Sequence, residues 1–259
     1  FKQKTAYEIS LGLVGSEMCI RDSINLYPGI KKDSPSWLQI QPTSTEKYSK
    51  YSFEKYCQKY GHDFLRVTEP ALLYRHPTWE RFDLFFNSKW VDQYDQILYV
   101  DTDVFALDHA PDIFKHGLGP KSFKSPRYSK YRNMDDNNLK KAMHKIFDDV
   151  NLQKIRQIFF QSGVLMINKH CRDVMMPWVQ KWKDFDCDDG QFLAWCVAKS
   201  NVDYQDLNPQ FNVKNNGLHR SWNYKRTWFL HSAGGRKYKS NSPLYDFLRK
   251  TFPNVNQDV

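Results

Sequence analysis

The run Ile97-Leu98-Tyr99-Val100, followed at once by Asp101-Thr102-Asp103, constrains this chain more than any other stretch. Four successive apolar residues leave no polar face. Such a strand must be covered on both sides, as in the centre of a parallel sheet. Around it the hydrophobic period switches between strand and helix. Glu46–Tyr60 sets Tyr48, Tyr51, Phe53, Tyr56 and Cys57 at helical spacing and stops at Gly61. Asp63–Val67 reads as a strand, and Thr78–Gln93 places Trp79, Phe82, Phe85, Phe86 and Trp90 on one helical face. An earlier strand is expected at Trp37–Ile40, before a Pro-Thr-Ser-Thr turn. Strand, helix, strand, helix, strand predicts an α/β fold with a central, mostly parallel sheet flanked by helices.

Later elements are less regular. Lys121–Asn138, rich in Lys, Arg, Tyr and Asn, reads as a long loop, and Leu139–Val150 as a helix. Phe159–Asn168 reads as a strand interrupted at Ser162-Gly163. Val174–Lys183 and Gly190–Ser200 read as helices, Trp228–Leu230 as a strand before His231, and Tyr245–Lys250 as a terminal helix. At 259 residues, with 41% hydrophobic and 26% charged side chains, the chain can bury a substantial core and is not of the disordered class. It lacks a run of 18 apolar residues.

Residues 2–23 resemble translated sequencing adapter, most clearly at Met18-Cys19-Ile20-Arg21-Asp22-Ser23. The segment 1–23 is therefore set apart as non-native and expected to be dispensable, and 24–259 is read as one catalytic domain whose N-terminus is open. The pattern fits a chain assembled from metagenomic reads. The charges in the segment cancel, so the net +9 belongs to the remainder. Of five cysteines, Cys57, Cys171, Cys187 and Cys196 then remain. None makes a C-x-x-C pair, so they read as small buried hydrophobes. With no N-x-S/T site in the chain, this leans toward a cytoplasmic setting. A basic face suits association with an anionic membrane surface, and a secretory-pathway lumen stays open.

In open α/β sheets ligands bind beyond the carboxyl ends of strands, where Asp101 and Asp103 fall. Carboxylates at i and i+2 of an extended segment point the same way and repel without a cation, so a hard divalent ion is their natural partner. A plain Asp-rich turn is the alternative, and spacing alone leaves both open. A haloacid-dehalogenase-type phosphatase also carries D-x-D after an apolar strand. It needs Thr or Val two residues past the second acid, where Phe105 stands.

ILYVDTDVFAL resembles the D-x-D segment of GT-A-fold glycosyltransferases. FFQSGVLMIN resembles their F-N-S-G-V segment, with Gln161 in place of Asn, and DLNPQFNV resembles their L-x-x-x-[FW]-N segment. His231-Ser232-Ala233-Gly234-Gly235-Arg236-Lys237 matches H-x-x-G-x-x-K of glycosyltransferase family eight, the glycogenin and bacterial galactosyltransferase group. The Pro-Trp that often follows that Lys is replaced by Tyr238-Lys239.

The resemblance implies a metal-dependent, retaining glycosyltransferase, a hexosyltransferase by class. Its donor would be a nucleotide-diphosphate sugar, a UDP-sugar first. Asp101, Asp103 and His231 would ligate Mn²⁺, with Mg²⁺ as the substitute. Lys89, Gln161, Ser162, Gly163, Gly234 and Lys237 would bind donor, with Gly235 beside them, and Asp188, Asp189 and Gln191 would form the catalytic segment near the sugar. Each has a plainer alternative: a packed histidine, a solvated lysine, a bulge glycine, or a helix N-cap at Asp188-Asp189. The acceptor would be a carbohydrate, a lipid or a protein. A different class of reading is a non-catalytic nucleotide-sugar or nucleic-acid binding module, using the basic, tyrosine-bearing stretch 121–132. The intact acids and His231 speak against it, so nucleic acid is not the expected partner.

Overall fold

The computed structural model describes residues 17–22, 45–67, 72, 77–87, 92–116, 122–125, 135, 154, 158, 160–185, 187–214, 222–232 and 242–256. Nine strands are assigned among them: β1 Glu17–Asp22, β2 Asp63–Val67, β3 Gln96–Asp101, β4 Val104–Ala106, β5 Ser122–Ser125, β6 Val164–Ile167, β7 Asp203–Asp206, β8 Val213–Lys214 and β9 Phe229–His231. The α-helices are α1 Glu46–Tyr60, α2 Asp83–Phe86, α3 Lys169–Val179, α4 Asp189–Lys199 and α5 Pro243–Thr251. Six strands form one sheet in the order β2-β1-β3-β6-β5-β7, and β4-β9-β8 form a second. The main sheet is mixed: β1 runs parallel to β2 and β3, β5 runs parallel to β7, and β6 is antiparallel to β3 and β5.

The apolar run behaves as its composition demands. Ile97 and Tyr99 join a cluster with Trp79, Phe82, Phe192 and Trp195, while Leu98 and Val100 join one with Phe53, Tyr56 and Phe229. Successive side chains of β3 thus enter opposite cores, and none of the four is more than 2% exposed. The α1 helix and the small sheet lie on one face; α3, α4 and the Trp79 segment lie on the other. On the far side of the small sheet, Phe105 and Leu230 meet Leu244 and Leu248 of α5.

Expected and observed elements coincide for α1, β2 and β3. Gly61, at φ 76°, closes α1 in the left-handed conformation. Elsewhere the boundaries move. The expected helix from Thr78 begins as a 3₁₀ turn, Pro77–Phe82, and its α-helical part ends at Phe86, with Asn87 extended. The helix expected from Val174 starts at Lys169 instead, because the Asn168 side chain caps it by accepting from the Cys171 amide. The strand expected over Phe159–Asn168 is therefore only Val164–Ile167. Within the expected loop at 121–138, Ser122–Ser125 is a strand whose Phe123 is fully buried.

The segment set apart for its resemblance to adapter sequence, and expected to be dispensable, supplies β1. Its backbone pairs with Asp63–Val67 on one side and Gln96–Asp101 on the other. A parallel ladder is made of main-chain groups, and β1 links β2 to β3 through two such ladders. The strand expected at Trp37–Ile40 and the helix expected at Leu139–Val150 lie outside the described residues. The four cysteines Cys57, Cys171, Cys187 and Cys196 are free thiols, the last buried with the first two. No helix among the described residues is long and apolar enough to cross a membrane.

Candidate active site

The site is built at the carboxyl end of β3. Asp101 is the last residue of that strand, and Thr102-Asp103 form the turn into β4, so the two acids meet across a turn rather than along an extended segment. The second sheet brings the third member. Phe229 and His231 share one face of β9; Phe229 is anchored in the core beneath the main sheet, and His231 emerges two residues later at its edge. Val104 pairs with His231, and the Ser232 amide donates to the Asp103 carbonyl at 2.9 Å.

Potential ligand atoms of Asp101, Asp103 and His231 all lie within 4.8 Å of one another. His231 Nε2 is 3.3 Å from Asp103 Oδ1, and Nδ1 lies 2.7 Å from Asn212 Oδ1. With the proton on Nδ1, donated to that amide oxygen, the Nε2 lone pair of the neutral ring faces the acids. Two carboxylates and one imidazole form a donor set that suits Mn²⁺ or Mg²⁺. Burial raises the Asp101 carboxyl above its ordinary range; Arg81 opposes this and Asp103 adds to it. Burial alone would lower the His231 imidazole, but Asp103 and Asp101 outweigh it, so the net shift is upward. Together the three side chains could hold a divalent cation.

Arg81 organises the other side. Its side chain is 2% exposed, with one terminal nitrogen 3.2 Å from Asp101 Oδ1 and Nε 3.1 Å from Asp189 Oδ2. It also donates to the carbonyls of Ser162 at 2.6 Å and Thr78 at 2.8 Å, and lies over the Tyr99 ring. The Tyr99 hydroxyl donates to Asp101 Oδ1 at 3.0 Å, and Thr78 donates to Asp189 Oδ1 at 2.8 Å. A buried guanidinium is tolerable only when its donors are used this fully.

The expected site residues separate into three groups. Asp101, Asp103 and His231 come together, and Arg81 ties them to Asp189. Asp188 caps α4, accepting from the Gln191 amide at 2.7 Å; burial raises its carboxyl, against the pull of that amide. Gln161, Ser162 and Gly163 lead into β6, the Gly163 carbonyl accepting from the Asp101 amide at 2.9 Å. The Gln161 Oε1 atom is buried and has no hydrogen-bond partner among the described residues. Lys89, Gly234, Gly235 and Lys237 lie outside the described residues. Sequence reasoning passed over Arg81 and Thr78, and reached Asn212 only as the last residue of the L-x-x-x-[FW]-N match, with no role attached. For Arg81 the signal was present: an arginine at helical spacing from Phe85, enclosed by Trp79 and Phe82, cannot reach solvent easily.

No protein-family model matches the chain, and no curated protein matches it in sequence. Solved structures match its fold. A glycosyltransferase involved in the glycosylation of the major capsid of PBCV-1 aligns over 85% of this chain and 93% of its own, with a TM-score of 0.51 and 12% identity. The bifunctional glycosyltransferase WbbM, in its apo structure, aligns over 93% of this chain and 50% of its own, with a TM-score of 0.56 and 12% identity. The mixed sheets flanked by helices are thus those of a GT-A-type glycosyltransferase fold.

Proposed function

We propose that the chain is a metal-dependent glycosyltransferase that moves a sugar from a nucleotide-diphosphate sugar to an acceptor with retention. The observation that carries this reading is the meeting of Asp101, Asp103 and His231, from two different sheets, at the carboxyl edge of the central strand. That edge is where ligands bind in open α/β folds. Tyr99 and Arg81 both engage Oδ1 of Asp101, so Oδ2 is the oxygen offered to an ion, beside Asp103 and His231 Nε2. A bound Mn²⁺ or Mg²⁺ would neutralise charge on the departing nucleotide.

The chain's own residues do the rest. Asn212 holds the His231 tautomer. Arg81 supplies counter-charge to Asp101 and Asp189 and fixes their separation. Asp189, in the first turn of α4, is the acid for the sugar, with Gln191 beside it; Asp188 serves mainly as the cap. Gln161 and the Ser162-Gly163 backbone line the donor side, and the family resemblance assigns donor binding to Lys89, Gly234 and Lys237 as well. The donor class is a UDP-hexose, and the acceptor is a carbohydrate, a lipid or a protein. Retention leaves the departing phosphate to take the acceptor's proton.

The test is a panel of nucleotide sugars incubated with Mn²⁺ and scored for nucleotide release, with and without acceptor mixtures. One donor class should be turned over, EDTA should abolish turnover, and Asp101→Asn should lower it at least ~100-fold, the scale of losing a preorganised charge-stabilising group. Equal donor affinity in Mn²⁺ and in EDTA, with no nucleotide released, refutes the reading.

A further inference from the structure

We propose that Gly163 is a positioning residue of the metal centre: a bare backbone there is what lets His231 and Asp101 approach each other. The inference rests on the metal reading above. A Cβ added at Gly163 would lie 2.5 Å from His231 Cε1, 3.1 Å from its Nδ1 and 2.9 Å from Asp101 Oδ2. Carbon contacts are ordinarily about 3.5–4.0 Å, so a single methyl group collides with two ligand side chains at once. The φ of Gly163 lies outside the left-handed region. Its glycine is therefore required by space and not by backbone conformation.

None of the three partners can easily give way. Gly163 is held by its carbonyl, which accepts from the Asp101 amide, and by Val164, which pairs with Val100 in the main sheet. The His231 ring is pinned by Asn212, and its backbone is fixed between β4 and β8. Asp101 is gripped through Oδ1 by Arg81 and Tyr99. The softest response is rotation of the imidazole away from Asp103, which takes Nε2 out of the ligand set. The main sheet and the small sheet meet at this point, so Gly163 sets how closely their ligands converge. This differs from a glycine that merely lets backbone approach a donor sugar.

The test combines Mn²⁺ titration by calorimetry with thermal unfolding, for wild type, Gly163→Ala, His231→Ala and the double variant. Gly163→Ala should weaken Mn²⁺ binding about 10- to 100-fold, the scale seen when groups that orient metal ligands are disturbed. His231→Ala should cost little further affinity in the Gly163→Ala background, because the imidazole is already displaced there. In metal-free buffer Gly163→Ala should lower Tm, and His231→Ala should relieve most of that drop, since it removes the 2.5 Å and 3.1 Å contacts and leaves only the one to Asp101 Oδ2. If Gly163→Ala alone does not fold, folding of the double variant supports the same collision, and failure of both refutes it. Wild-type affinity in Gly163→Ala, or an equal Tm loss in both backgrounds, overturns the role of Gly163. A wild type that binds no Mn²⁺ overturns the metal reading beneath it, while the metal-free unfolding cycle still reports the collision separately.

Discussion

Replacing Arg81 by Met removes a cation that faces both Asp101 and Asp189 within 3.2 Å while keeping most of the buried volume. The substitution leaves two acids, 26% and 13% exposed, against each other and a largely dry wall. Breaking a buried ion pair from one side costs about 3–5 kcal/mol. The partial exposure of Asp101 puts the expected loss near the lower figure, about 3 kcal/mol. For a chain of this size that corresponds to a Tm lower by about 6–12 °C. Urea unfolding followed by tryptophan fluorescence should show a lower midpoint with an unchanged slope, since the surface exposed on unfolding is the same. Adding Asp189→Asn should recover about 1 kcal/mol or more, because contacting residues are energetically coupled. Mn²⁺ should also recover part of the loss in the single variant, by supplying charge to Asp101 from the other side. A loss below about 1 kcal/mol, or strict additivity of Arg81→Met with Asp189→Asn, would refute the view that this guanidinium holds the two acids in place.

Further outcomes test the fold. Burial pushes the Cys171 thiol up to about 12 and raises Cys196 well above its ordinary value. Both should resist iodoacetamide at pH 8 until urea is added, whereas the half-buried Cys187 reacts in the native protein. The same shift makes stability fall with rising pH: the unfolded thiol loses its proton near 8.5, the folded one only near 12, so the contribution is intact below the first value and lost across that window. For β1, deleting residues 1–23 should lower Tm by more than a few degrees, because β2 and β3 then face an empty slot. An unchanged Tm on deletion would show that the segment contributes nothing to the fold.

The linear chain carried the parts of this protein that depend on short range. The uninterrupted Ile97–Val100 run demanded two covered faces, and the structure covers both. The period of α1 and its closing Gly61 could be read because a helix is a local object with a local stop signal. Asp101, Asp103 and His231 were nameable as candidates from their flanking residues. What they do together was not, because 128 residues separate Asp103 from His231 and only the pairing of β4 with β9 brings them side by side. The boundaries of α3 and β6 turned on Asn168, which caps the helix through the Cys171 amide three residues on, a local signal that the apolar run of the strand obscured. The partners of Arg81 include Thr78, Tyr99, Asp101, Ser162 and Asp189 and meet only once the layers close. Gly163 reads in sequence as a bulge or a donor contact. Its spatial neighbours, an imidazole from one sheet and a carboxylate from another, decide why no side chain fits there. Local periodicity and capping are written along the chain, whereas the convergence of charges is set by packing between elements distant in sequence, which no local pattern encodes.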